Sequence, residues 1–99
     1  MNLHEVIFTD GKVVLIRKAP QGLAMEFLDY QGSVVEITFS GNVDFEIGDC
    51  FGYAVAKSAL DRKGDRYELT FMDDEGTNVL VINFGDGEYK AKSLPAANL

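Results

Sequence analysis

The chain has 99 residues, a net charge of −7 and 46% hydrophobic residues, which are the proportions of one small acidic globular domain. The excess of acidic side chains disfavours nucleic acid and anionic membranes as partners, because both carry negative charge. A content of seven Phe, four Tyr and many Val, Ile and Leu residues argues against an intrinsically disordered chain.

The first two hairpins are predicted within residues 6–39. Residues 6–18 contain two β-prone runs on either side of Asp10-Gly11, a dipeptide that favours a hairpin turn, and Pro20 and Gly22 then interrupt the chain. Residues 22–39 alternate apolar and polar side chains around a turn from Asp29 to Gly32. This period of two predicts strands with one buried and one solvated face.

The middle of the chain, residues 40–65, has a weaker pattern. Three glycines, Gly41, Gly48 and Gly52, indicate turns or bends. We predict a strand over residues 51–57, followed by a looser segment that ends at Asp65. A short helix over residues 54–60 remains an alternative, because alanine and leucine favour helices.

Residues 66–84 repeat the second hairpin. FLDYQGS at positions 27–33 returns as FMDDEGT at positions 71–77, a spacing of 44 that becomes 45 after an insertion near Asn78. Duplication and convergence on one favourable turn both explain the repeat. After a turn at Asp86 and Gly87, a last strand is predicted over residues 89–93.

These elements predict an all-β fold, an antiparallel sandwich or open barrel of about seven to nine short strands with two similar hairpins. Residues 1–94 form a single domain in this prediction, and residues 95–99 a flexible tail. Val79 and Val81 make the last return strand apolar on both faces. We favour burial of both faces within the fold, and the alternative is contact with a partner or a second copy.

Residues suited to catalysis or metal binding are few. His4 and Cys50 are the only histidine and cysteine, so no intrachain disulfide and no four-ligand zinc site can form. The Asp49 charge should raise the pKa of the Cys50 thiol, which opposes activation. The acidic turns lack the alternating oxygen ligands of a calcium loop. We therefore expect a non-enzymatic protein without a cofactor.

The acidic turns are the candidate partner-binding site, since loops carry binding residues and tyrosine is favoured at interfaces. The alternative is two ordinary solvated turns. Their negative charge would attract a basic protein. No basic leader and no apolar run of about 20 residues is visible, so we expect a cytoplasmic protein. The candidate residues are Asp29, Tyr30, Asp73, Asp74 and Glu75.

Two stretches, LHEVIF at residues 3–8 and GLAMEFLDYQGSVVEITFSGNVDF at residues 22–45, support a family comparison. They resemble small bacterial β-rich proteins with a Leu-His-Asp-Ala start and strands of the form L-x-F-x-D-x-x-G and I-x-F-x-G-V. Glu5 and Val6 replace the Asp and Ala of that pattern. Some of these families are immunity proteins of polymorphic-toxin systems. The resemblance implies a protein that binds and blocks a toxin, and it transfers no site residues.

Three classes of function therefore remain. The favoured class is a protein-binding module, such as an immunity protein or small inhibitor that captures a basic partner through acidic loops. The second is a structural or self-associating β domain, a homo-oligomer that uses Val79 and Val81. The third is a small-ligand-binding β sandwich, in which tyrosines replace the absent tryptophan as stacking residues.

Overall fold

A computed structural model describes residues 2–92 of the chain. The predicted tail at residues 95–99 lies outside this range, as does the end of the predicted last strand. The described elements are a short 3₁₀ helix, η1 (Leu3–Glu5), and eight strands: β1 (Lys12–Ala19), β2 (Gly22–Leu28), β3 (Val34–Ser40), β4 (Asp44–Ile47), β5 (Lys57–Lys63), β6 (Arg66–Met72), β7 (Asn78–Phe84) and β8 (Asp86–Ala91).

The strands form two antiparallel sheets of four, in the orders β1-β2-β3-β8 and β4-β7-β6-β5. The all-β sandwich prediction is confirmed. The alternation in β3 shows why: Val35, Ile37 and Phe39 are buried against the other sheet, whereas the residues between them are half-buried. Within residues 2–92, no helix is long and apolar enough to cross a membrane.

The two halves of the chain follow the same course. Strands β1–β3 form a meander in one sheet and β5–β7 form a meander in the other. The fourth strand of each half crosses over and pairs with the third strand of the other half, β4 with β7 and β8 with β3. The halves are thus related by a pseudo-twofold axis, and the two similar hairpins face each other across the core.

Equivalent aromatic residues from the two halves pack together in the core. The rings of Phe27 and Phe71 lie 5.7 Å apart between centroids, and those of Phe39 and Phe84 lie 4.9 Å apart. Phe27 and Phe71 each precede an aspartate turn by two residues. The turns at residues 29–33 and 73–77 therefore lie at the same end of the sandwich, which we call the turn end.

The predicted hairpin around Asp10-Gly11 is wrong. Residues 6–8 form no strand, and the Phe8 ring packs against both Phe27 and Phe71, at 5.3 and 5.1 Å between centroids. Asp10 does adopt a left-handed turn conformation with φ +67°. Burial of the Phe8 ring draws this segment away from β1, which pairs with β2 through the turn at Pro20 and Gln21.

The strand predicted over residues 51–57 is also wrong, as is the alternative helix. Phe51 and Ala54 form only isolated bridges to β1, and the strand, β5, begins at Lys57. It lies at the edge of its sheet and carries many exposed polar residues, so it lacks an apolar period. The last strand begins at Asp86, three residues before its predicted start.

The apolar strand β7 is buried on one face only, so the favoured interpretation of burial on both faces is wrong. Leu80 and Ile82 point into the core and are fully buried. Val79 and Val81 lie on the opposite face and are half-buried. Val79 packs at the margin of the core, and Val81 pairs with Thr70 of β6.

Candidate functional site

The two turns at the turn end have the same hydrogen-bond pattern. In each, Oδ1 of the aspartate accepts the backbone N–H groups two and four residues later, at 2.8 to 3.0 Å. The aspartate's own N–H donates to the carbonyl four residues later, at 2.8 Å from Asp29 and 3.0 Å from Asp73. Gly32 and Gly76 adopt left-handed φ angles of +84° and +81°. The predicted turn chemistry is confirmed, and one oxygen of each aspartate has a structural role.

Each turn forms one wall of a concavity. The larger cleft, of about 390 Å³, is lined by Asp49, Cys50, Tyr53, Ala54, Val55, Met72, Asp73, Asp74 and Val79. The smaller cleft, of about 190 Å³, is lined by Glu5, Val6, Ile7, Asp29, Tyr30, Gln31, Val35 and Tyr89. The larger volume falls within the usual size of a ligand pocket, and the smaller falls below it.

The two clefts are related by the pseudo-twofold axis. Four lining positions of one cleft recur in the other at the repeat spacing of 44 residues: Glu5 and Asp49, Val6 and Cys50, Asp29 and Asp73, and Tyr30 and Asp74. Sequence reasoning missed Glu5 and Asp49 as members of the site. Extending the spacing of 44 into the N-terminal segment would have aligned them.

The predicted site residues all lie at the turn end but do not form a single cluster. Asp29 and Tyr30 line the smaller cleft, whereas Asp73 and Asp74 line the larger one. Glu75 lies at the exposed tip of its turn and lines neither. The turn end therefore presents two adjacent acidic surfaces of different shape.

The side chains that line the two clefts are acidic or uncharged, while Lys12 and Lys57 pair through the backbone with the lining residues Ala54 and Met72. Five of the lining side chains are carboxylates, and in the described part of the chain neither lining includes a lysine or arginine. The acidic partners in the ion pairs described for residues 2–92 are Glu26, Glu36 and Glu68. These residues lie on strands β2, β3 and β6 and line neither cleft. The turn end is thus a site where cationic groups would be attracted.

Exposed apolar and aromatic side chains lie beside these carboxylates. Tyr30 is 51% exposed and Tyr53 is 63% exposed, at the mouths of the two clefts. Ile7 and Phe51, again 44 residues apart, are 57% and 44% exposed. Large exposed side chains at this density are typical of a contact surface.

Cys50 lines the larger cleft without the properties of a nucleophile. The thiol is buried, and burial raises its pKa; the neighbouring Asp49 carboxylate raises it further, while a backbone hydrogen bond opposes both effects. His4 is exposed in η1. Among residues 2–92, no group of three or more His, Cys, Asp or Glu side chains is arranged to hold a metal ion.

No protein-family model, no curated protein and no solved structure matches this chain.

Proposed function

We propose that this protein is a non-enzymatic binding module that captures a basic protein partner through the turn end. The observation that carries the proposal is the coincidence, at one end of the sandwich, of carboxylates that line the two clefts and exposed aromatic side chains. The carboxylates accelerate encounter with a basic partner by long-range attraction. The aromatic side chains then supply contact area at low cost in conformational entropy.

The finer proposal is that the partner is a toxin. The resemblance of residues 3–8 and 22–45 to small bacterial β-rich proteins, some of them immunity proteins, supports this class of partner. A basic enzyme such as a nuclease suits an acidic inhibitor, because its substrate-binding surface must attract phosphate. Binding in the bacterial cytoplasm would protect the host cell from its own toxin.

Self-association through Val79 and Val81 has less support. Val79 forms part of the wall of the larger cleft, and Val81 pairs with Glu46 on one side and Thr70 on the other. The apolar stripe is therefore interrupted by a carboxylate that a second copy would have to desolvate. The discriminating measurement is the mass of the isolated protein in solution across a range of concentrations.

The test is capture of partners from host lysate by the tagged full chain, at low and high salt, with identification by mass spectrometry. Asp74→Lys with Glu75→Lys reverses two charges at the turn end. Asp61→Lys with Asp65→Lys reverses two on β5 and in the β5–β6 turn, at exposed positions away from the turn end. We expect a stoichiometric basic partner that is lost at high salt and in the first variant only. Equal capture by the two variants would contradict the proposal.

A further inference from the structure

We infer that the larger cleft receives an arginine side chain of the protein partner. This inference rests on the proposed function and names the group that the partner contributes. It follows from three properties of the cleft: an apolar floor, a carboxylate rim and an exposed aromatic ring at the mouth.

The floor of the cleft suits the aliphatic part of a long side chain. Cys50 and Val55 are buried at its base, and Met72 and Val79 form half-buried walls. The methylene groups of an arginine gain free energy by lying on such a surface while the charged end stays near the rim. A free metal ion or a small anion would gain nothing from this floor.

The rim supplies carboxylates from two separate segments of the chain. Asp49 comes from the loop after β4, and Asp73 and Asp74 come from the turn after β6. A guanidinium presents five N–H donors in a planar fork, so it can reach carboxylates on more than one side. Tyr53, which lines the cleft and is 63% exposed, is an aromatic ring with which a guanidinium can form a cation–π contact. A lysine ammonium is compact and strongly hydrated, so it would form fewer of these contacts with the carboxylates and the ring than a guanidinium does.

The smaller cleft provides an internal comparison. Tyr30 occupies the position of Asp74, so the smaller cleft has two carboxylates, Glu5 and Asp29, where the larger has three. Its volume is about 190 Å³ against about 390 Å³. We therefore expect the arginine to prefer the larger cleft.

The test is a titration of the nitrogen-15-labelled full chain with N-acetyl-arginine amide, followed by amide chemical shifts. N-acetyl-citrulline amide, which has the same shape without the charge, is the control ligand. We expect saturable shifts confined to residues 49–55 and 72–79 with the arginine probe only. Equal shifts with citrulline, or arginine shifts spread over the whole acidic surface, would overturn the inference.

Two variants test the geometry. Asp74→Asn removes one rim charge at a turn tip, and Ala54→Trp fills the cleft without changing the charge. Each should weaken binding of the arginine probe by about fivefold or more. The control is Asp61→Asn, at an exposed position of β5 away from the turn end, which should leave the affinity unchanged. Unaltered affinity in both test variants would refute the cleft as the binding site. The amide spectrum of the rest of the chain reports whether each variant folds.

Ala54→Trp also separates this inference from the proposed function. In the capture experiment, loss of the partner in Ala54→Trp, with the spectrum outside the cleft preserved, supports insertion of a side chain. If Ala54→Trp still captures the partner while Asp74→Lys with Glu75→Lys does not, the turn end binds the partner and the cleft inference fails. If both variants capture it as well as the wild type, the inference and the proposed function fail together.

Discussion

Gly41 lies directly against Gly85 at the point where the two halves of the sandwich exchange their fourth strands. The Gly85 N–H donates to the carbonyls of Ser40 and Gly41, at 2.9 and 3.1 Å. A Cβ atom on Gly41 would come within 3.0 Å of the Gly85 Cα atom. The two crossovers, β3 to β4 and β7 to β8, can approach this closely only because neither carries a side chain at the contact.

This contact predicts that Gly41→Ala destabilises the fold more than Gly76→Ala. Both glycines have a φ of +81°, but a Cβ on Gly76 meets no atom within 4 Å. Both substitutions should therefore cost about 1 kcal/mol for the left-handed backbone. Gly41→Ala should cost about 1 to 3 kcal/mol more, because the crossovers must separate. Urea denaturation of the two variants measures the difference, and equal losses of stability would show that the crossovers are not tightly packed.

The aspartate turns predict a matched pair of stability changes. Asp29→Ala and Asp73→Ala each remove a carboxylate that accepts two backbone N–H groups. Each should lower the free energy of unfolding by about 1 kcal/mol, and by similar amounts, since the geometry is the same. Asparagine at either position should retain most of the stability. Asp74→Ala, in the same turn without these bonds, should change stability by less than about 0.5 kcal/mol.

The hydrogen bonds of Arg66 predict that this side chain also stabilises the crossover. It donates from Nη1 to the Gly41 carbonyl at 2.9 Å and from Nη2 to the Asn42 carbonyl at 2.5 Å. Arg66→Ala should cost about 1 kcal/mol, and Arg66→Lys should not restore it, because an ammonium cannot reproduce the planar fork. Arg62→Ala, whose Nε donates only to Gly64 of the adjacent turn, is the control. Thermal or urea denaturation measures these changes. Equal stability of Arg66→Lys and the wild type would contradict this role.

The buried Cys50 thiol predicts a loss of stability at alkaline pH. Its pKa is raised by burial and by Asp49, so the unfolded chain releases the thiol proton at a lower pH than the folded chain. The stabilisation is complete below the unfolded pKa, about 8.5, and declines as the pH rises toward the folded pKa. Between about pH 7 and about pH 10, urea denaturation should show a smaller decline for Cys50→Ala than for the wild type. Parallel declines would mean that Cys50 does not titrate differently on folding.

Local sequence patterns predicted the elements whose structure depends on neighbouring residues. The strands β2, β3, β6 and β7 and the turns at Asp29 and Asp73 are all present in the structure, and burial alternates along β3 and β7. Strand β5 was not predicted, because an edge strand with many solvent-exposed residues does not require alternating apolar side chains. The hairpin at Asp10-Gly11 was predicted wrongly because Phe8 enters the core instead of pairing with β1.

The candidate site was predicted in part, for the same reason. Asp29, Tyr30, Asp73 and Asp74 could be selected because a turn motif is contiguous in the chain. Asp49 and Tyr53 belong to a loop that is distant in sequence from the turn at Asp73. Only the packing of that loop against β6 and β7 places them at the larger cleft.

The sequence by itself determined the fold class, the turn chemistry and the existence of a repeat, because these follow from side-chain alternation and from residues within one turn. Only the tertiary structure decided that the repeated hairpins face each other and exchange their fourth strands. That choice depends on long-range contacts, such as Phe27 with Phe71 and Gly41 with Gly85. Such contacts leave no periodic signal in the chain, and they bring both acidic turns to one end of the molecule.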